Sequence, residues 1–372
     1  MEALLIQILS FCERGSVLIM KSVTFSAGGI SLVLRDLSDL LNDKIKGMEE
    51  IVINTSSHPN SSPHLGTLTT ISTAFLLARK FQDRFSIPAR VEFDELENSP
   101  AERVSSNYYK SLGDSLQDGR NLSSIHMDTY NFIFEKLSAL TSIPYDIRTY
   151  MEYQSIPIVR GAVIEIYRRY DEFRDLLDPS LRKLFLRTKC PICSISNRDP
   201  ESFCFVNTLQ GLVLYSDCCI HGKYEQLFSI DNSTYIDMNT QLRDLTKGVL
   251  IAHEKEQNKR LIIMCDGRDW SGEWALRMHC EGMRRLGYNE ITTRFFSPTI
   301  VDWSGGKYSK SVYLRNSNYT GFEDLASDFN KFYNIYGDRG FSTVITEVSR
   351  WVDDPIRFYR NYSNDYFKEL LG

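Results

Sequence analysis

Residues 50–67 read EIVINTSSHPNSSPHLGT, and this stretch contains the features from which the fold can be predicted. Its first eight residues are a short apolar run that ends in polar side chains, which is typical of a buried strand. The turn HPNSSP follows, and from about Leu65 apolar residues recur at helical spacing. A second strand is predicted over 89–93. Strand, helix and strand in this order indicate a parallel α/β layer.

The rest of the chain predicts one α/β domain interrupted by an insertion. Residues 125–185 are expected to be mostly helical, for example over 153–177, and residues 188–225 alternate like a small β-ribbon. Another buried strand is predicted over 260–264, followed by a helix from about 272 to 286. Aromatic residues between 322 and 336 have the spacing of a helix that faces a core. A helical tail is therefore expected, with helices over 322–336 and 354–371.

Composition excludes several classes of protein. The chain has 372 residues, is 42% hydrophobic and carries a net charge of −5, and no apolar run reaches the roughly 18 residues of a membrane span. The apolar N-terminus opens with Glu2 and is interrupted by Glu13 and Arg14, unlike a signal peptide. We interpret it as a packed helix, or as a leader before a true start at Met20. We expect a cytoplasmic protein with reduced thiols and no membrane partner.

Net acidity weighs only mildly against nucleic-acid binding, because a local basic patch matters more than the sum of charges. Four basic residues form a candidate patch: Arg182, Lys183, Arg187 and Lys189. We interpret them as a solvated helix face, and a nucleic-acid contact is the alternative.

The segment between the first predicted strand and helix has the residues of a phosphate site: Pro59, His64, Gly66 and Thr67. A glycine at a helix N-terminus lets a phosphate approach the backbone, whose N–H groups and dipole favour anions. His64 can donate a hydrogen bond to the same phosphate. Alone, the pattern is also that of a turn with a satisfied histidine.

A second cluster, GGKYSKS, occupies residues 305–311, more than two hundred positions downstream. Lys307 and Lys310, with Ser309 between them, form a Gly/Ser-rich loop that can fold over a polyphosphate. The two ammonium groups would stabilise the charge that grows as a phosphoanhydride breaks. The alternative is a solvated basic loop.

Together, HLGT and KYSKS resemble the two signature motifs of class I aminoacyl-tRNA synthetases, HIGH and KMSKS, with Tyr308 in place of methionine. Over roughly residues 45–325 the chain is most similar to the catalytic domain of class I lysyl-tRNA synthetase. Three features carry that likeness: the Pro-x4-His-x-Gly spacing of Pro59, His64 and Gly66, the acidic group Asp94, Glu95 and Glu97, and the stretch GRDW at 267–270.

The resemblance implies a Rossmann-like parallel sheet and a division of the chain. Its parts would be the first half of a nucleotide-binding domain at 1–150, a connective insertion with a zinc ribbon at 151–235, the second half with the KYSKS loop at 236–315, and a short stem-like tail at 316–372.

The resemblance also implies an activity. In such enzymes an amino-acid carboxylate attacks the α-phosphate of ATP, and an aminoacyl-adenylate and pyrophosphate are formed, with Mg²⁺ as cofactor. His64, Lys307 and Lys310 would be catalytic. ATP would be bound by Pro59, His64, Gly66, Thr67, Gly267, Asp269, Lys307, Ser309 and Lys310. Ser57, Asp94 and Asp244 are candidates for amino-acid binding, although a carboxylate at a strand end is often a helix cap.

A third cluster has the spacing of a metal site. Cys190 and Cys193 are separated from Cys218 and His221 by 24 residues, and Cys219 is an alternative to Cys218. Two close pairs of soft ligands suit tetrahedral zinc, and class I lysyl-tRNA synthetases carry a similar ribbon. The zinc would be structural; four unmetallated residues are the alternative. The remaining cysteines are expected to pack in the interior: Cys12, Cys204, Cys265 and Cys280.

The chain also departs from that family. Thr67 replaces the second histidine of the first signature, and the stretch at 238–247, MNTQLRDLTK, lacks the family's tryptophans, so lysine specificity does not carry over. Only 61 residues follow KYSKS, so we expect no anticodon-binding domain. The acceptor would be a tRNA acceptor end or a small-molecule amine. The alternatives are a non-catalytic paralogue that senses nucleotide, amino acid or tRNA, and a small nucleotidyltransferase, which explains only the His-x-Gly motif.

Overall fold

The computed structural model describes residues 34–272, 275, 277–302, 305–307 and 327–372. The predicted N-terminal helix or leader, Cys12, Ser309, Lys310 and the start of the predicted helix at 322 lie outside the described residues.

Strands and helices alternate along most of the chain. The strands are β1 (Glu50–Ser57), β2 (Ala89–Glu95), β3 (Pro100–Arg103), β4 (Tyr108–Ser111), β5 (Leu116–Gln117), β6 (Arg120–Asn121), β7 (Tyr145–Thr149), β8 (Ser196–Asn197), β9 (Cys204–Asn207), β10 (Leu212–Cys218), β11 (Gly222–Phe228), β12 (Arg260–Gly267), β13 (Arg294–Ser297), β14 (Ile300–Val301) and β15 (Tyr362–Ser363). The α-helices are α1 (Leu65–Phe85), α2 (Leu122–Thr141), α3 (Tyr150–Ser155), α4 (Pro157–Arg168), α5 (Tyr170–Leu177), α6 (Thr240–Asn258), α7 (Met283–Arg285), α8 (Phe329–Asp353), α9 (Pro355–Phe358) and α10 (Asn364–Leu371).

A five-stranded parallel sheet forms the centre of the molecule, in the order β13-β12-β1-β2-β7. The predicted strands at 50–57, 89–93 and 260–264 and the helix beginning at Leu65 are confirmed. The mixed α/β class with a central parallel sheet is therefore the observed one.

Helices cover both faces of this sheet. Ile51 and Ile53 of β1 belong to the large apolar core that also contains residues of α1, whereas Val52 packs on the opposite face with Ile251 of α6. The side chains of a strand alternate between faces, so a continuous apolar run can serve two layers at once. The chain leaves β1 towards β2 on one side and returns at β12 on the other. In sheets with this topology, ligands bind where the strand order reverses, at the carboxyl ends of the strands.

The insertion has an apolar core of its own. This second core joins α3, α4 and α5 to the antiparallel sheet β9-β10-β11 and to α6. The predicted ribbon is confirmed as this sheet. The helix predicted over 153–177 is instead split among three helices, and the strand β7 within the region predicted as helical was missed.

The four residues of the basic patch do not form a solvated helix face, because none of them lies in a helix. Each one forms an ion pair with a carboxylate of the chain: Arg182 with Asp175, Lys183 with Glu201, Arg187 with Asp237, and Lys189 with Asp114.

The C-terminal helices pack onto the main core rather than extending from it. Phe329 and Phe332 of α8 are buried there, which confirms the prediction of a core-facing aromatic stripe for these two residues. Helix α8 continues beyond the predicted end at 336, through a break at Gly337 (φ 55°), as far as Asp353.

Smaller differences concern one helix and two cysteines. Of the helix predicted over 272–286, residues Arg277–Gly282 form a π-helical segment that leads into α7. Cys265 is buried as expected, but Cys204 is exposed, since it lies on the outer strand of the ribbon. No helix among the described residues combines the length and apolar character that crossing a membrane requires.

Candidate active site

A cleft of about 220 Å³ opens at the carboxyl ends of β1 and β12, where the strand order reverses. It is lined by residues from β1, α1, α6, β12 and the segments that follow β12 and β13: Thr55, Ser56, Ser57, His58, His64, Gly66, Thr67, Thr70, Ile71, Leu96, Thr240, Arg243, Asp244, Lys247, Met264, Asp266, Gly267, Arg268, Asp269, Trp270, Arg294, Pro298, Thr299, Ile300 and Lys307. Residues from both predicted phosphate clusters are among them.

The first turn of α1 forms one wall of the cleft. His64 is the N-cap residue, and its Nδ1 accepts a hydrogen bond from the N–H of Thr67 at 3.2 Å. A Cβ atom at Gly66 would lie 2.9 Å from Cε1 of His64, so only glycine lets the imidazole fold against the helix start. Backbone N–H groups at such a terminus favour an anion.

Lys307 lines the same cleft, although it lies more than two hundred positions away in sequence. Its Nζ is 2.5 Å from Oδ2 of Asp269, just after β12. The structure thus brings Lys307 to the cleft that His64, Gly66 and Thr67 line, whereas Ser309 and Lys310 lie outside the described residues.

Gly267 and Asp269 lie close together at the end of β12. A Cβ atom at Gly267 would be 2.7 Å from Oδ1 of Asp269, so a side chain there would displace this carboxylate. Pro59 is buried and is not among the residues that line the cleft.

The three candidates for amino-acid binding have different surroundings. Ser57 lines the cleft, and its hydroxyl lies 3.1 Å from that of Tyr130. Asp94 is only 2% exposed, does not line the cleft, and contacts Lys247 at 2.6 Å and Arg148 at 2.7 Å. Burial acts to raise the pKa of Asp94, but these two cations lower it. The carboxylate that was a candidate for amino-acid binding is thus already paired with two cations of the chain.

Asp244 lines the cleft and is held by two neighbours. Its carboxylate lies 2.5 Å from Arg294 and 2.9 Å from Nε2 of His279. Burial opposes ionisation, yet these two partners keep the pKa of Asp244 far below its usual range. Asp244 is therefore an anion at neutral pH, with its charge balanced within the protein.

Several polar residues of the cleft were not predicted from the sequence, notably Arg243, Lys247 and Arg294. Thr240, Arg243, Asp244 and Lys247 follow the i, i+3, i+4, i+7 spacing of one helix face. This polar stripe at helical spacing was the available signal.

His58, also missed, has a defined protonation state. Its Nδ1 lies 3.3 Å from the carbonyl oxygen of Leu96, which can only accept a hydrogen bond, so Nδ1 carries the proton. Burial above all, and then the charges of Arg243 and Arg187, lower the pKa of His58 to about 4. At neutral pH the ring is neutral and Nε2 is an acceptor.

A separate cluster lies in the insertion. One ligand atom from each of Cys190, Cys193, Cys218 and His221 falls within 4.8 Å of the others, so the four could hold a metal ion. The Cys190 and Cys218 sulfurs are 3.5 Å and 3.7 Å from Nδ1 of His221. Cys219 is exposed and does not belong to the cluster, which distinguishes the two adjacent cysteines.

The local backbone fits such a centre. The N–H of Ile220 donates to the Cys218 sulfur at 3.4 Å. Although burial acts to raise it, the pKa of Cys218 is lowered to about 6 by the backbone N–H groups of Ile220 and His221 and by its neighbours in the cluster. Three thiols and one imidazole are a donor set that suits tetrahedral zinc.

No protein-family model matches this chain, and no curated protein does. Among solved structures, it is similar to a protein described as an arginyl-tRNA synthetase from Campylobacter jejuni, with a TM-score of 0.38 and 11% identity over 86% of this chain and 69% of that one. It is also similar to a glutamate-tRNA synthetase from Elizabethkingia anophelis, with a TM-score of 0.38 and 11% identity over 87% of this chain and 70% of that one. A likeness at this level assigns no function to the chain.

Proposed function

We propose that this protein uses ATP to activate an amino acid, as a stand-alone enzyme of the class I aminoacyl-tRNA synthetase type. The observation that carries the proposal is that Lys307 and the first turn of α1 line one cleft at the switch point of a parallel sheet. Both signature-like motifs thus contribute to one place where a nucleotide can bind.

The chemistry requires a surface that binds the phosphate groups and cations close to the reacting phosphorus. An oxygen of the amino-acid carboxylate attacks the α-phosphorus of ATP, the bond from that phosphorus to the bridging oxygen breaks, and pyrophosphate leaves. The N–H groups of α1 and His64 would bind the phosphates, and Lys307, with Lys310, would stabilise the charge that develops in the transition state. Mg²⁺ would offset the charge of the leaving pyrophosphate.

In this scheme Asp269 positions the side chain of Lys307. Their ion pair holds the lysine at the edge of the cleft, and phosphate oxygens would compete with the carboxylate for the ammonium group. Gly267 and Asp269 would then lie beside the adenosine.

The aminoacyl group would pass to a tRNA acceptor end or to a small-molecule amine in the cytoplasm. We also propose that the cluster in the insertion binds a structural zinc ion. Its ligands come from β10 and the loops around the ribbon rather than from the cleft, so the zinc would stabilise the insertion and take no part in the chemistry.

Amino-acid-dependent exchange of pyrophosphate into ATP tests the activity directly. Exchange with at least one amino acid, lost in Lys307→Ala, is the expected result. ATP binding without exchange across a broad panel of amino acids would instead favour a nucleotide-binding sensor.

A further inference from the structure

The charged residues that line the cleft are mostly paired within the protein. Lys247 contacts Asp94, which lies behind the cleft wall, Arg294 contacts Asp244, and Lys307 contacts Asp269. Asp266, the remaining lining carboxylate, lies 3.6 Å from Arg294. All of the lining carboxylates therefore have a cationic partner.

Arg243 is different. Its guanidinium makes no hydrogen bond or ion pair with any residue that the structure describes, although its backbone carbonyl accepts from Tyr153 at 3.0 Å. The side chain is partly buried in the first turn of α6 and lines the cleft. A guanidinium is always ionised and is costly to withdraw from water without a partner, so a partly buried, unpaired one is suited to bind an anion.

Arg243 and Lys307 have different neighbours. It is close enough to His58, Tyr150 and Tyr153 to influence their titration, and these residues lie at the end of β1 and on α3 of the insertion. The backbone of Lys307, by contrast, forms an isolated β-bridge with Val301. Its side chain forms an ion pair with Asp269, which follows β12. Arg243 therefore belongs to the part of the cleft next to the insertion.

A second polar group points to a ligand in this cleft. The hydroxyl of Thr55, 1% exposed on β1, has no hydrogen-bond partner among the described residues, yet Thr55 lines the cleft. A buried hydroxyl without a partner carries a desolvation cost that a bound polar group would relieve.

Resting on the function proposed above, we propose that the activated amino acid has an acidic side chain, whose carboxylate binds Arg243. An arginine and a carboxylate can form two parallel charge-assisted hydrogen bonds. The basic side chain of a lysine or arginine substrate would be repelled by the like charge of Arg243. It could not pair with Asp94, because Asp94 already forms an ion pair with Lys247. This specificity agrees with the departure at 238–247, from which we expect that lysine specificity does not carry over.

Pyrophosphate exchange with matched amino acids tests the inference. Glutamate, aspartate and 2-aminoadipate are compared with glutamine, asparagine, leucine and lysine in the full chain. We expect kcat/KM for exchange to be higher with one acidic amino acid than with its neutral counterpart. Arg243→Gln should lower kcat/KM for that acidic amino acid about 100-fold. Arg103→Gln, on the exposed strand β3, is the matched control and should change nothing.

A charge reversal sharpens the test. In Arg243→Glu, the preference should move from the acidic amino acid towards a basic one. Exchange that is strongest with a neutral or basic amino acid in the unaltered protein overturns the inference while the proposed activity stands. A rise only in the KM for ATP in Arg243→Gln also overturns it, because Arg243 would then bind phosphate.

If no amino acid supports exchange, the proposed activity fails, and calorimetry still decides the inference. Binding of an acidic amino acid that is about 100-fold weaker in Arg243→Gln supports it. Failure of all three acidic amino acids to bind the unaltered protein, with and without ATP, overturns it.

Discussion

The ammonium group of Lys247 lies 2.6 Å from a carboxylate oxygen of Asp94, and both side chains are buried where α6 packs against the sheet. The two residues are 153 positions apart in sequence. Their contact links the α6 wall of the cleft to the strand β2 that lies behind it. It also balances the charge of a carboxylate that the sequence predicted as a candidate for amino-acid binding.

Asp94→Asn is expected to destabilise the protein by about 3–5 kcal/mol, because it leaves the buried Lys247 without its counter-ion. Urea unfolding measures this loss. Asp83→Asn removes an exposed partner of Arg79 on α1 and should cost less than about 1 kcal/mol. Adding Lys247→Met to Asp94→Asn should recover part of the stability, and an additive second loss would contradict the pairing argument.

Lys307→Ala is expected to lower pyrophosphate exchange by about 10²–10³-fold, as for the loss of one group that stabilises transition-state charge. Because this group acts in the transition state, kcat should fall while the KM for the amino acid changes little. Steady-state exchange kinetics measure both constants. Lys259→Ala, an exposed lysine paired with Glu49, is the control. Unchanged exchange in Lys307→Ala would remove the basis of the proposed function.

The elements of the fold that were predicted correctly are those with a recognisable pattern over a few neighbouring residues. The apolar run at β1, the turn before α1 and the paired cysteines of the ribbon are short-range features, and each was recognisable from the sequence. Strand β7 (YDIRT) was missed because its residues are mostly polar, and its pairing with β2 at the sheet edge decides its conformation.

The cleft was only partly predictable for a related reason. His64, Gly66 and Lys307 belong to recognisable motifs, so their convergence could be expected. Arg243 and Lys247 look like ordinary charges on a helix until the sheet places their face against the cleft. Likewise, the pairing of Asp94 with Lys247 depends on tertiary contacts across 153 positions, which no local spacing reveals.

Gly66→Ala is expected to weaken ATP binding about fivefold and to leave the fold intact. The added methyl group would lie 2.9 Å from Cε1 of His64, so the imidazole must move and its contact with the N–H of Thr67 is lost. A lost hydrogen bond of this kind is worth about 1 kcal/mol. Calorimetry with ATP measures the affinity. Gly161→Ala is the matched control, since the nearest atom there is 3.9 Å away; equal affinities in the two variants would argue against a phosphate site at α1.

Two adjacent cysteines allow a sharp test of the metal site. Cys218→Ser should lose bound zinc and lower the stability of the ribbon, because Cys218 is one of the four clustered ligands. Cys219→Ser should keep about one zinc per chain, since Cys219 is exposed and outside the cluster. Elemental analysis of the purified variants gives the zinc content. Retention of zinc by Cys218→Ser together with its loss in Cys219→Ser would reverse the ligand assignment.

Because the ring of His58 is neutral in the folded protein, the stability of the fold should decrease as the pH falls. The pKa of His58 is about 4 in the folded protein, against about 6.5 in the unfolded chain. Between these values the unfolded chain binds more protons, so stability increases with pH. The contribution is complete above about pH 6.5 and is lost as the pH falls towards 4, by up to about 3 kcal/mol.

His58→Gln removes this titration and isolates the contribution of His58 from that of the carboxylates. A glutamine can still donate a hydrogen bond to the Leu96 carbonyl, but it binds no proton in this range. Urea unfolding between pH 4 and 7.5 should therefore show a shallower pH dependence in the variant, because only the unaltered protein takes up a proton at position 58 on unfolding. Parallel curves over the whole range would mean that His58 takes up its proton equally in the folded and unfolded states, which would contradict the lowered pKa of His58.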